Sequence, residues 1–199
     1  MIKDLFSNFI YSDHLKIDNQ TLETLAYSIK KVSPGVFISN EGGWQSEPII
    51  RELLVQPLIS IILDHANKLH KQIGLSESYV QTLDNIWFNI NGYKNYNHAH
   101  LHPGSCFSGV YYVKAEEYAG GITFMTPITP YYYTIPYDAI DIESVTPDKP
   151  NRYLGSGWLE SSEVGKILLF PSWLMHLTQP NLSNSDRISI AFNTRLTRK

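Results

Sequence analysis

A single cysteine, Cys106, stands in a chain of 199 residues, which excludes an intramolecular disulfide and suits a reducing compartment. Its thiol reads as a small buried apolar group, not a reactive one. Charge of one sign is lacking as well: 16 Lys and Arg against 19 Asp and Glu leave a formal net charge of -3. That balance argues against a basic nucleic-acid footprint and against a polybasic membrane surface. No apolar run is long enough to span a membrane, and Met1-Ile2-Lys3-Asp4-Leu5 opens without the apolar core of a signal peptide. The expectation is a soluble, cytoplasmic protein. Internal repeats, low-complexity tracts and interdomain linkers are also missing, and 43% apolar residues are enough for a substantial core. Residues 1–199 are therefore expected to form one domain.

The residues that are present divide the chain into a helical first third and a β remainder. Phe6 to Ile17 reads as an opening strand or extended arm. Leu22, Leu25, Ala26 and Ile29 recur at helical spacing after Asp18 or Asn19 as N-cap, and Ser33-Pro34-Gly35 ends the pattern. Ser39 to Ser46 reads as a loop, with Trp44 either at a site mouth or covering one end of the core. A second helix is expected from Pro57 to Ile73, with Leu58, Ile61, Ile62, Ala66, Leu69 and Ile73 on one face and His65 and His70 at its surface or boundary. Beyond Gly74 the period drops to two: Ile86, Phe88 and Ile90 alternate with Trp87, Asn89 and Asn91. Further strands are expected at 107–113, 122–125, 166–170, 173–178 and 187–193. Tyr131, Tyr132, Tyr133 and Tyr137 form an aromatic stretch, read as a lid or as strand packing, before a polar loop from Asp141 to Asn151 with a candidate strand inside it. Two helices followed by many short strands predict an α+β, mainly β fold with helices packed on a sandwich or barrel.

The chemistry concentrates in Asn97-His98-Ala99-His100-Leu101-His102-Pro103-Gly104, where histidines occupy every second position. In extended backbone, side chains two apart leave on the same side, so neighbouring members of the trio can meet one metal ion. A third imidazole is available from His176. Neutral imidazole suits divalent iron, copper, nickel and zinc, and three ligands leave positions open for substrate or oxygen. Arg187 follows His176 after a turn through Gln179 to Asp186, which predicts that it lies on the adjacent antiparallel strand. With the Ser189 hydroxyl on the same side, its guanidinium can grip a carboxylate bidentately.

His100 to Gly104, Ser108-Gly109-Val110-Tyr111-Tyr112-Val113, Gly165 to His176 and Arg187 to Asn193, together with Gly42-Gly43-Trp44-Gln45-Ser46, resemble the 2-oxoglutarate/Fe(II)-dependent oxygenases, in particular a subgroup with a His-x-His-Pro stretch. The resemblance implies a double-stranded β-helix (jelly-roll, cupin-like) with supporting N-terminal helices. It implies Fe(II) on His100, His102 and His176, and the distal carboxylate of the cosubstrate 2-oxoglutarate on Arg187 and Ser189, with a hydroxyl from Tyr111 or Tyr112. The activity implied is a dioxygenase that uses O2, hydroxylates a peptide or small-molecule substrate and releases succinate and CO2. His102 departs from the wider pattern, which has a carboxylate at this position. His98 with His100 is the alternative ligand pair. A cupin-like three-histidine enzyme that does not use 2-oxoglutarate, and a non-catalytic binding protein on the same scaffold, are the alternative functions.

Overall fold

Apolar and polar side chains alternate through residues 86–91 and 187–193, and this alternation sorts the molecule into a helix-covered face and a cavity face. The computed structural model of the chain describes residues 7–127 and 157–199, with residues 3, 139 and 155 besides. In chain order its elements are β1 (Tyr11–His14), α1 (Asn19–Val32), β2 (Asn40–Glu41), β3 (Trp44–Gln45), α2 (Gln56–Gln72), β4 (Tyr79–Asn91), β5 (Tyr96–His100) and β6 (Phe107–Lys114). They continue with β7 (Gly121–Met125), β8 (Gly157–Ser161), β9 (Lys166–Pro171), β10 (His176–Thr178) and β11 (Arg187–Arg198). The expected tyrosine stretch at 131–137 and the polar loop at 141–151 lie outside the described residues.

Two antiparallel sheets carry the architecture, one in the order β1-β9-β6-β11-β4-β3 and the other in the order β2-β5-β10-β7-β8. In the first, β4 and β11 pair along their length, with Arg187 opposite Asn91 and Arg198 opposite Tyr79. Ile86, Phe88 and Ile90 of β4 and Ile188, Ile190 and Phe192 of β11 are each no more than 1% exposed. They join Leu22 and Ala26 of α1 and Leu58, Ile62, Ala66 and Leu69 of α2 in one core. The polar half of the same alternation faces the second sheet. A smaller core of Tyr112, Ile122, Phe124, Leu168, Phe170 and Leu174 is packed on that side. This is a double-stranded β-helix with helices on one face, an α+β fold that is mainly β.

The helices begin and end where local chemistry dictates. Asp18 accepts hydrogen bonds from the backbone N–H groups of Gln20 and Thr21 and so caps α1. Pro57 sits in the first turn of α2, where a missing N–H costs nothing. His70, expected at the surface or boundary of α2, is buried instead: it is 3% exposed, and its Nε2 lies 2.9 Å from the Ser76 carbonyl. Following Leu69, it faces the start of β4 and not solvent. The loop expected at 39–46 contains two short strands, β2 and β3. The strand expected at 173–178 is confined to His176–Thr178 because the Leu174 N–H closes a turn on the Pro171 carbonyl at 2.9 Å. Strand β8 had no sequence expectation. Among the described residues no helix is long and apolar enough to cross a membrane.

Candidate active site

His100 closes β5 and lies directly opposite His176, which opens β10. The next register pair is Asn97 with Thr178, so three steps along β5 oppose two along β10. This bulge breaks strict alternation. Asn97 and His100 both line the cavity between the sheets, whereas His98 turns outward, 3.2 Å from Glu41 on the exposed surface. The ligand pair His98 with His100 is therefore not the one brought together. His102 lies just beyond the strand, held by its backbone N–H donating to the Ser172 carbonyl at 2.9 Å. Extended-strand geometry alone does not place it; a bond to the turn before β10 does.

The ligand atoms of His100, His102 and His176 lie within 4.8 Å of one another, a group that could hold a metal ion. Nδ1 of His100 is 2.6 Å from the His98 carbonyl, and Nδ1 of His176 is 2.9 Å from the Leu174 carbonyl. A carbonyl oxygen only accepts, so each Nδ1 carries the proton and each Nε2 keeps its lone pair. Burial pushes the His176 imidazole down to about 3, with the neighbouring His100 adding to the effect. Burial likewise takes His102 down to about 4 and lowers His100. All three rings are thus neutral near pH 7. Phe170 packs edge-on against His176 with ring centroids 4.7 Å apart, which fixes the ring plane.

Arg187 is brought to the same cavity, but not from the strand adjacent to His176. β10 belongs to one sheet and β11 to the other, so the connection at 179–186 is an arch between sheets and not a hairpin. Arg187 is 2% exposed. Its Nη1 donates to the carbonyls of Ala119 at 2.7 Å and Gln179 at 3.0 Å, and its Nη2 to Thr178 Oγ1 at 3.3 Å. No described carboxylate pairs with it, and burial lowers its pKa. A buried cation held, among the described residues, by neutral oxygens is poised for an anion. Ser189 also lines the cavity, in register with Tyr112 on one side and Asn89 on the other.

Tyr111 requires a correction. Strand alternation turns it to the helix side, where its hydroxyl donates to Asn19 Oδ1 at 2.8 Å, while Tyr112 faces the cavity. Burial raises the Tyr112 hydroxyl to about 12, so it remains a donor beside Arg187. Trp44 covers one end of the core, 9% exposed, with its Nε1 donating to the Ser33 carbonyl at 3.1 Å. Cys106 is half-buried, accepts a hydrogen bond from Gln81 Nε2 at 3.2 Å, and has its pKa raised by burial.

The cavity, about 50 Å³ in volume, is also lined by Gln45, Trp87 and Asn89. The sequence reading gave none of these three a role in the site. For Trp87 and Asn89 the signal was the outward half of the β4 alternation, which faces an internal cavity and not solvent, and Gln45 of β3 joins them as the register partner of Asn89. Among the described residues Asn89 Oδ1 is buried without any hydrogen-bond partner, a state that costs about 1–3 kcal/mol when it persists.

Three neutral imidazoles, two of them with Nε2 left free by their Nδ1 hydrogen bonds, fit Fe(II), which imidazole ligands suit, and the buried guanidinium fits a carboxylate of the cosubstrate. No curated protein matches the chain. Among solved structures it is similar to a prolyl hydroxylase from Trichoplax adhaerens in complex with a hypoxia inducible factor peptide fragment, at 13% identity and TM-score 0.59 over 95% of this chain and 84% of that one. It is similar also to a viral collagen prolyl hydroxylase from Paramecium bursaria Chlorella virus-1 in its 2-oxoglutarate complex, at 13% identity and TM-score 0.57 over 94% and 96%. HygX from Streptomyces hygroscopicus, with nickel and 2-oxoglutarate bound, matches at 11% identity and TM-score 0.56 over 94% and 83%. At these identities the likeness is one of fold. Residues 85–193, more than half of the chain, match the family model described as "Putative 2OG-Fe(II) oxygenase", and the chain belongs to this family of enzymes, which use Fe(II) and 2-oxoglutarate.

Proposed function

We propose that this dioxygenase binds Fe(II) through Nε2 of His100, Nε2 of His176 and a ring nitrogen of His102, and binds the distal carboxylate of 2-oxoglutarate through Arg187, Ser189 and Tyr112. The observation that carries the reading is the sharing of one cavity by the three imidazoles and the buried Arg187, which pairs with no carboxylate among the described residues. Fe(II) with 2-oxoglutarate and O2 supplies the oxidation, which hydroxylates a peptide or small-molecule substrate as 2-oxoglutarate leaves as succinate and CO2. The protein's share is positional. The carbonyls of His98 and Leu174 orient two imidazoles by holding their Nδ1 protons. Ala119, Gln179 and Thr178 hold the guanidinium in the same cavity, and the Phe124 and Phe170 rings keep water from the buried flank of His176. Residues 1–199 act as one domain in this reading.

Anaerobic titration of the iron-loaded protein with 2-oxoglutarate tests it through the visible metal-to-ligand charge-transfer band. Wild type is expected to develop the band, and Arg187→Ala to need at least about 30-fold more 2-oxoglutarate, the loss that follows when one partner of a buried charge pair is removed. An unchanged titration in the variant removes Arg187 from the assignment. Iron binding without any band favours the cupin-like reading.

A further inference from the structure

The polar row that crosses the first sheet on its cavity face extends beyond the groups a keto acid can use. Tyr112, Ser189, Asn89 and Gln45 are consecutive register partners across β6, β11, β4 and β3. Tyr112 and Ser189 stand on the Arg187 side of this row, and the last two members are carboxamides. Gln45 is 6% and Asn89 8% exposed; both line the cavity, and Asn89 Oδ1 has no partner among the described residues.

We propose, resting on the site assigned above, that Gln45 and Asn89 form a recognition subsite for an amide group of the primary substrate. Each carboxamide offers one acceptor and one pair of donors. 2-Oxoglutarate carries two carboxylates and a ketone, all acceptors, and O2 carries no proton, so neither can donate to the Asn89 side-chain carbonyl, which has no partner among the described residues. Of the three reactants only the primary substrate brings a donor. A neutral group with a donor and an acceptor side by side satisfies both residues: directly opposite side chains in an antiparallel pair stand about 4.5–5.5 Å apart at Cβ, which spans the two edges of one secondary amide. Exchanging the oxygen and nitrogen of either carboxamide preserves the match, since one end still donates and the other still accepts. An ammonium group would leave the carboxamide N–H groups opposed, and a carboxylate would leave the carbonyls opposed. The subsite adjoins the metal ligands: Trp87, two residues from Asn89 on the same face, has its ring centroid 6.0 Å from that of His102.

N-acetylglycine N-methylamide, a minimal peptide unit, is the probe, and the protein is loaded with Mn(II) and 2-oxoglutarate. Paramagnetic relaxation of the probe's methyl protons reads occupancy beside the metal. Wild type is expected to relax the amide, and to relax methyl acetoxyacetate, in which esters replace both amides and no N–H donor remains, far less. Gln45→Leu and Asn89→Leu are each expected to reduce the effect about tenfold, as emptying a hydrogen-bonding site does, while the 2-oxoglutarate Kd stays within about twofold. That retained Kd also reports that the variants are folded. Equal relaxation in the variants overturns the subsite, and so does a 2-oxoglutarate Kd raised about tenfold in Asn89→Leu, which would assign the carboxamides to the cosubstrate. No amide relaxation in wild type that binds Mn(II) and 2-oxoglutarate overturns the subsite alone. Failure to bind Mn(II) and 2-oxoglutarate overturns the proposed function and the subsite with it.

Discussion

Two histidines two positions apart, His98 and His100, have opposite fates because one bulge lies between the register pairs Asn97 with Thr178 and His100 with His176. The motif was legible in the sequence; the bulge was not, since nothing in the spacing of imidazoles marks an extra residue in a strand. The same limit separates Tyr111 from Tyr112. Adjacent tyrosines on a strand face opposite sides, but which side is which depends on the shift between Ile188 and Ser189 in the pairing of β11 with β6. A metal titration against a competing chelator checks the assignment at this scale. His176→Ala is expected to weaken metal binding by at least about 100-fold, the effect of removing one of three protein ligands whose supporting groups alone are worth 10–100-fold. His98→Ala, which removes an exposed ring paired with Glu41 and packed on Tyr96, away from the cavity, is expected to stay within about twofold of wild type. Equal losses in the two variants would contradict the outward position of His98.

At the scale of elements, the strongest sequence signals were the alternations in Ile86 to Asn91 and Arg187 to Asn193, and both lie on strands whose apolar face is covered by helices. Periodicity told which face was apolar but not what lay across the other one. A half-polar strand reads the same whether it borders solvent or a polar cavity. The arch from β10 to β11 was misread as a hairpin for a related reason: both need turn residues. Asn181, wholly buried, donates to the carbonyls of Asn91 at 2.8 Å and Ser185 at 2.7 Å and so carries the chain from one sheet to the other. Gly109 in β6 marks another close approach, since a Cβ there would run into the Phe192 ring and the Leu168 carbonyl. Backbone cannot yield as a flexible side chain does, so Gly109→Ala is expected to cost about 1–3 kcal/mol by overpacking. Urea unfolding reads this as a lower midpoint at unchanged slope. An unshifted midpoint would mean that Phe192 has room to move.

At the scale of the whole molecule, the site is held by both sheets at once: His100, near its neighbour His102, and His176 come from one sheet, Arg187 and Ser189 from the other. A ligand that binds metal at one end and the guanidinium at the other ties the two sheets together, so its binding free energy adds directly to folding stability. With free ligand at about 100 times Kd the gain is about 2.7 kcal/mol, which for a chain of 150–250 residues raises Tm by about 5–10 °C. Thermal melts with Mn(II), then with Mn(II) and 2-oxoglutarate, separate the two contributions. Wild type is expected to rise at each step. In Arg187→Ala the metal step remains and the 2-oxoglutarate step shrinks, because the weakened cosubstrate no longer reaches saturation at the same concentration. A 2-oxoglutarate step of equal size in both proteins would mean that the cosubstrate is held by the metal alone, and the buried guanidinium would then serve only to join Ala119, Thr178 and Gln179 across the gap between the sheets.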